Sequence, residues 1–171
     1  MKIITFVLDS LLAGEFIVKI IDKSPSLNLD EFMRRPLFAH LATSGADGAR
    51  ESPVWCLWKN EVLWICTDIK KDTYCYRIEK DNRCAIGIVD YDATSGKLHH
   101  VGFRGTAKLT PFDITIAKEI FSKYLGKNNQ SCWPDWFQQF LNDPNARLIC
   151  FTPATVVVRD QSYFFASNHL K

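Results

Sequence analysis

The chain has 171 residues, of which 47% are apolar and 23% are charged. This length predicts one domain, and this composition excludes an intrinsically disordered chain. The 21 basic and 19 acidic residues leave a net charge of +2, which gives no support to a nucleic-acid-binding function.

The cysteines and the amino-terminal segment indicate a cytoplasmic protein. Six cysteines stand at positions 56, 66, 75, 84, 132 and 150, without the paired spacing of a zinc site, and most lie in apolar runs. This usage predicts reduced thiols in a reducing compartment. The apolar start of the chain is interrupted by Asp9, Glu15 and Lys19, so neither a signal peptide nor a membrane span is expected.

In chain order, the first predicted elements are an extension, a helix and three strands. Residues 1–28 are predicted to be an amino-terminal extension and linker, with residues 1–22 forming either an added strand or an amphipathic helix. Asp47-Gly48 is a strong signal for a hairpin turn, and the three strands are predicted to form a meander. The pattern predicts a helix over 29–35 and strands over 36–43, 51–58 and 61–67.

The second half of the chain alternates between helices and strands. Helices are predicted over 72–80, 111–125 and 133–141, and strands over 83–90, 97–109 and 147–159, with 163–166 as a candidate seventh strand. Six or seven antiparallel strands with short helical crossovers predict a mainly β protein, with residues 29–171 forming a small closed barrel. The sequence contains neither GxGxxG nor a P-loop motif, so a βαβ dinucleotide-binding unit is not expected.

The segment most informative about chemistry lies between the strand 61–67 and the helix 72–80. The amino end of a helix offers free backbone N–H groups and the positive pole of its dipole, which suit a phosphate group. The alternative is an ordinary solvated loop, which is more frequent for such residue types and is favoured by the acidic Asp72. The side chains that would complete a phosphate pocket are Thr67, Lys70, Lys71 and Thr73, with Arg50 from the neighbouring strand.

Histidines and tryptophans give weaker signals. His99 and His100 are adjacent on a predicted strand, so they face opposite sides of the sheet and are not expected to bind one metal ion. His169 lies far away in the sequence. Trp133 and Trp136 are predicted either to pack a helix onto the barrel or to form an aromatic lid over a planar ligand.

An ordered series of segments resembles a known family. The segments are Phe38–Thr43, the Asp47-Gly48 turn, Arg50–Trp55, Leu63–Thr67, Arg77–Ala85 and His99–Gly105. Over about residues 29–158, this series is similar to the pyridoxamine 5'-phosphate oxidase-like, FMN-binding split-barrel family.

The resemblance implies a six-stranded antiparallel split barrel of the Greek-key type. It also implies a homodimer that binds FMN in two clefts at the subunit interface. Arg50 and the strand through Trp55 would run along the flavin and its phosphate, and His100 would stand near the ring. The implied cofactor-binding residues are Arg50, Glu51, Ser52, Pro53, Val54, Trp55, Thr67, Asp68, Lys70, Lys71, Asp72, Thr73 and His100.

Two segments differ from the family pattern. The position of the usual Ser/Arg-x-Lys phosphate clamp holds Asp72-Thr73-Tyr74, so phosphate would depend on Lys70 and Lys71 slightly upstream. The carboxyl-terminal tail 159–171 has one arginine, whereas pyridoxamine phosphate oxidases have an arginine-rich substrate-binding end. The resemblance therefore does not imply oxidation of vitamin B6.

Three functions follow from the resemblance. The first is a flavin-dependent oxidoreductase that passes electrons from a reduced nicotinamide to a small-molecule acceptor, with FMN or a deazaflavin as cofactor. The second is a haem-binding or haem-degrading split barrel that uses His99, His100 or His169. The third is a non-enzymatic flavin-binding module. None of the three implies a nucleic-acid or membrane partner.

Overall fold

Alternation of apolar and polar residues builds the central strands of the structure. The computed structural model describes residues 18–126 and 133–163. Their strands are β1 (Lys19–Lys23), β2 (Ala39–Thr43), β3 (Arg50–Val54), β4 (Leu57–Lys59), β5 (Val62–Asp68), β6 (Arg83–Asp92), β7 (Lys97–Thr110) and β8 (Ala146–Asp160). Their helices are α1 (Leu29–Arg34), α2 (Thr73–Lys80), α3 (Ile114–Leu125) and α4 (Asp135–Phe140). The mainly β class is confirmed, and no described helix is long and apolar enough to span a membrane.

The strands form one sheet in the order β3–β2–β6–β7–β8–β5–β4. β1 pairs with β8 in parallel, and the other pairs are antiparallel. The prediction of six antiparallel strands is therefore corrected to eight described strands, one of which, β1, comes from the segment predicted as an extension. Tyr163 is not in a strand, and residues 164–166 of the candidate seventh strand lie outside the described residues.

The predicted strand 51–58 is two strands, and this break closes the barrel. β3 and β4 lie at opposite ends of the sheet order, yet only Trp55 and Cys56 separate them. This link spans at most about 11 Å, whereas the edges of a flat seven-stranded sheet would be about 29 Å apart. The sheet must therefore curl until its edges meet. Both pairings of the predicted meander are present, since β3 pairs with β2 and β4 pairs with β5, but the break in its middle strand puts them at opposite ends of the sheet order.

Helix α3 holds the link between β3 and β4. The backbone N–H of Cys56 donates to the Tyr124 hydroxyl at 3.1 Å, and this hydroxyl donates to the Leu37 carbonyl at 2.7 Å. The Lys123 ammonium donates to the Cys56 carbonyl at 2.8 Å. Cys56 is fully buried, so these bonds supply the backbone partners that a continuous strand would have found in its neighbours.

Apolar side chains pack on both sides of the sheet. Inside the barrel, β5, β7 and β8 contribute Ile65, Phe103 and Phe151, all almost completely buried. A second cluster covers the outer side of β5 and β8 with α3 and α4, where Phe121 and Phe137 pack near Leu148. This second cluster holds the two helices against the ends of β3 and β5.

A buried arginine fastens α2 to the turn between β2 and β3. The guanidinium of Arg77 bonds the Thr43 hydroxyl at 3.1 Å, and it also contacts the Gly48 carbonyl and the Asp47 carboxylate. Only 7% of Arg77 is exposed. A Cβ at Gly45 would lie 2.5 Å from this guanidinium, so a larger residue there would displace the Arg77 side chain.

We expect Arg77→Met to lower the free energy of unfolding by about 2–4 kcal/mol, because it removes several charge-assisted hydrogen bonds from a buried position. Denaturant unfolding followed by tryptophan fluorescence measures the change. Arg83→Met is the matched control, since Arg83 is exposed and bonds only Asp81 among the described residues. Equal loss of stability in the two variants would contradict the assignment.

Candidate functional site

A cleft of about 530 Å³ lies where β3 and β5 end beneath α3 and α4. This volume lies within the usual range for small-molecule sites. One end of the cleft is apolar and the other is acidic. Its lining residues are Phe38, Pro53, Val54, Trp55, Cys66, Thr67, Asp68, Lys71, Asp72, Tyr74, Ile120, Phe121, Trp136, Phe137, Gln139, Phe140 and Asp143.

Stacked aromatic rings form one wall of the cleft. The Trp55 ring lies between Tyr124, with centroids 4.7 Å apart and planes 2° apart, and Phe137, at 5.3 Å and 11°. Phe137 in turn stacks against Trp136, which is 59% exposed. Both faces of Trp55 are therefore covered by the chain itself, and Trp136 is the ring of this stack that can still receive a planar ligand.

The acidic end of the cleft is the loop between β5 and α2. Asp72 occupies the N-cap position of α2, but its side chain makes no capping bond to the helix. It turns back instead, and its Oδ2 accepts from the Thr67 hydroxyl and the Asp68 backbone N–H, both at 2.8 Å. The Asp72 carboxylate thus holds the two donors that an incoming anion would need.

Asp68 organises the rest of this loop. Its Oδ1 accepts from the backbone N–H groups of Lys70 at 2.8 Å and Lys71 at 3.3 Å, and its Oδ2 lies 3.0 Å from the Lys71 ammonium. Burial acts to raise the pKa of Asp68, but these hydrogen bonds and the Lys71 charge outweigh it and hold the pKa below its usual range. Asp68 is therefore ionised at neutral pH.

Two neutral groups complete the polar side of the cleft. Burial raises the pKa of the Cys66 thiol to about 12 and also raises the pKa of the Tyr74 hydroxyl. Both groups keep their protons at neutral pH, so neither acts as an anionic nucleophile or base.

The cleft brings together one part of the residue set implied by the resemblance. Pro53, Val54 and Trp55 line it from β3 and the link, and Thr67, Asp68, Lys71 and Asp72 line it from β5 and the loop. The other implied residues, Arg50, Glu51, Ser52, Lys70, Thr73 and His100, do not line it.

Several of these outlying residues are engaged elsewhere. The Arg50 guanidinium pairs with Asp47 at 2.6 Å in the turn before β3. The Glu51 carboxylate lies 2.6 Å from His40 Nδ1 on the neighbouring strand. Arg50 and Glu51 therefore have local partners, and no arginine lines the cleft.

The two adjacent histidines face opposite sides of β7. His99 packs near Phe32, with ring centroids 6.4 Å apart, while His100 is on the face that carries Gly102 and Arg104. Burial, aided by the Arg159 charge, lowers the pKa of His100, so its imidazole is neutral at pH 7.

The aromatic residues of α4 contribute more to the cleft than the sequence predicts. Trp136, a predicted candidate for an aromatic lid, lines the cleft, and so do Phe137 and Phe140 beside it, which are not among the predicted site residues. Phe38 and Phe121 were also missed. One feature of the sequence could have indicated these residues. Three of the six residues of α4 are aromatic, which is more than a short helix needs to cover the one face that it buries.

The cleft fits one half of FMN and not the other. Its apolar half offers aromatic and aliphatic surface for a flat ring system. Its acidic half does not fit the terminal phosphate. Carboxylates hold the Thr67 hydroxyl and the Asp68 N–H, and within the described part of the chain only one cation, Lys71, lines the cleft. The residues present therefore suit the ring of a flavin and oppose its phosphate.

The fold is shared with solved structures of other proteins. A conserved hypothetical protein from Mycobacterium tuberculosis matches with a TM-score of 0.65 at 18% identity, over 81% of this chain and 89% of its own. An F420 reductase matches with a TM-score of 0.57 at 22% identity, over 76% and 96%. A heme storage protein from Vibrio cholerae matches with a TM-score of 0.60 at 14% identity, over 78% and 93%.

These identities are low, so the matches show the fold. No protein-family model and no curated protein matches the chain. The predicted split barrel is confirmed by the strand order and by these structures.

We expect Asp68→Asn to destabilise the protein at pH 7 and to have little effect in acid. The folded-state pKa of Asp68 lies below the ordinary value of 3.8, so its stabilisation is present above that value and is lost as the pH falls through the lowered pKa. Thermal unfolding of both proteins from pH 7 down to pH 2 measures the difference. A difference that stays constant across this range would show that the Asp68 charge is not the cause.

Proposed function

We propose that this protein is a flavin-dependent oxidoreductase that holds the flavin ring in the cleft between β3, β5, α3 and α4. The observation that carries the proposal is the aromatic wall of Trp55, Phe137 and Trp136 at the end of the strand that the resemblance places along the flavin. FMN and a deazaflavin share the flat tricyclic ring for which this wall is suited. The bound flavin supplies the redox chemistry.

The chain's own residues have the task of binding the ring and excluding water. Val54, Phe121 and Phe137 are buried and give the cleft an apolar floor. The neutral Cys66 and Tyr74 add no charge next to the ring. Such a site would need no catalytic acid or base from the chain, since the flavin itself would supply the redox chemistry.

The proposal includes a homodimer in which a second copy completes each cleft. Phe38 lines the cleft and is 54% exposed, and Val89 and Tyr91 on β6 are also about half-exposed. Apolar side chains left uncovered in this way are typical of surfaces that bind another protein. The proposal also places the protein in the cytoplasm, supported by free thiols at all five cysteines of the described residues.

Haem is the second ligand to test, but the cleft favours a flavin. His100 is neutral and so in the form that binds iron, yet it lies outside the cleft. No histidine of residues 18–126 and 133–163 lines the cleft, and the candidate His169 lies outside the described residues.

The test is an absorbance titration of the purified protein with riboflavin, FMN and hemin, followed by anaerobic addition of NADPH to the flavin complex. We expect flavin bands that shift on binding and then bleach on reduction. A bound flavin that neither NADH nor NADPH reduces would indicate a non-enzymatic flavin-binding module. A Soret band with hemin and no flavin shift would contradict the proposal.

We expect Trp136→Ala to weaken flavin binding about ten-fold, because it removes an exposed ring that can stack on the flavin. Tyr76→Ala is the matched control. Tyr76 is a similarly exposed aromatic residue, on α2, and does not line the cleft. Equal affinity in both variants would place the flavin elsewhere.

A further inference from the structure

We propose that the cleft selects a flavin whose side chain ends without a phosphate, and that Asp72 is the residue that determines this specificity. The inference rests on the proposed function, since it concerns the tail of a flavin whose ring occupies the cleft. It identifies the preferred ligand class as riboflavin-like, with a neutral polyhydroxyl tail.

The first step of the argument is the use of hydrogen-bond donors. Phosphate is bound in proteins by backbone N–H groups, hydroxyls and cationic side chains. At the acidic end of the cleft, the Thr67 hydroxyl and the Asp68 N–H both donate to Asp72. The N–H of Ile69 donates to the Asn145 carbonyl, and those of Lys70 and Lys71 donate to the Asp68 carboxylate. Four donors between Thr67 and Lys71 therefore already have carboxylate partners within the chain, although Asp72 does not cap the first N–H groups of α2.

The second step is the charge that a phosphate would meet. Among the described residues, three carboxylates line the cleft, from Asp68, Asp72 and Asp143, against the one ammonium of Lys71. The formal charge of this described lining is therefore −2. The Lys71 ammonium lies 3.0 Å from Asp68 and is thus already paired. A phosphate that entered here would add like charge in a partly desolvated site, which opposes binding.

The third step is that the cations expected to compensate do not line the cleft. Lys70 is exposed and is not part of the lining. The Arg50 guanidinium is bound to Asp47, 2.6 Å away. Neither residue therefore takes the place of the basic clamp that Asp72-Thr73-Tyr74 lacks.

The same carboxylates suit a neutral tail. Ionised carboxylates are acceptors only, and the hydroxyls of a ribityl chain are donors, so the two are complementary. Asp72 and Asp143 both line the cleft, and each has one carboxylate oxygen, Oδ2 of Asp72 and Oδ1 of Asp143, that already accepts bonds within the chain. The other oxygen of each carboxylate can accept a bond from the tail without a change in net charge. The ring end is unaffected, because its contacts with the aromatic wall are the same for riboflavin and FMN.

The test compares the dissociation constants of riboflavin and FMN by quenching of flavin fluorescence in low salt, for the full chain and three variants. Asp72→Asn removes the charge and keeps an acceptor for Thr67 and Asp68. Asp72→Ser also frees those two donors. Asp81→Asn is the control, since it makes the same charge change at the other end of α2.

We expect the native protein to bind riboflavin at least ten-fold more tightly than FMN. We express this preference as the dissociation constant of FMN divided by that of riboflavin. We expect this ratio to fall about ten-fold in Asp72→Asn, to fall further in Asp72→Ser, and to stay unchanged in Asp81→Asn. Added salt should reduce the native preference by screening the carboxylates.

Two results would overturn the inference while leaving the proposed function standing. The first is tighter binding of FMN than of riboflavin by the native protein. The second is a ratio of the two dissociation constants that stays at the native value in both Asp72 variants, when their circular dichroism spectra show that they are folded like the native protein. Failure of the native protein and all variants to bind either flavin at millimolar concentration would overturn the proposed function itself, and the inference with it.

Discussion

The structure depends on the two-residue link between β3 and β4. Because Trp55 and Cys56 alone connect strands at opposite ends of the sheet order, the sheet has to close on itself. The same link places Trp55 at the seam, where α3 and α4 cover it on both faces with Tyr124 and Phe137. The Tyr124 hydroxyl and the Lys123 ammonium satisfy the link's backbone, so one helix both completes the barrel and builds a wall of the cleft.

Much of the fold could be predicted because its signals are local. Strand β6, in which buried residues alternate with more exposed ones, and the helices α2 and α3 have a periodicity that their own residues define. The break at Trp55–Cys56 could not be predicted, since an apolar run continues through it and its cause is a tyrosine 68 positions away. Pairing between distant strands is likewise non-local, which is why the placement of the two meander pairings at opposite ends of the sheet order could not be predicted.

The candidate site was predictable in its position and not in its chemistry. The ends of β3 and β5 meet because the barrel closes, and the residues there were named from the sequence. The direction of each side chain depends on competing partners. Arg50 has an acidic neighbour three residues earlier, and Asp72 finds two donors at the end of β5, so both make local bonds. The order of residues in the sequence does not show whether such a side chain bonds a neighbour in the chain or points into the cleft.

The loop between β5 and α2 also shows how a fold can keep the shape of a binding loop while changing what it binds. A loop with basic residues has cationic groups and N–H donors that lack partners within the chain, so a bound anion can form hydrogen bonds and ion pairs with them. Here Asp68 and Asp72 supply that anion from within the chain, so the loop and the start of α2 are held without a ligand. Affinity must then come from the aromatic half of the cleft, where burial of a ring is favourable whatever its tail carries. In the proposed complex, the barrel would fix where the flavin ring lies, and the carboxylates of Asp68 and Asp72 would determine which flavin is favoured.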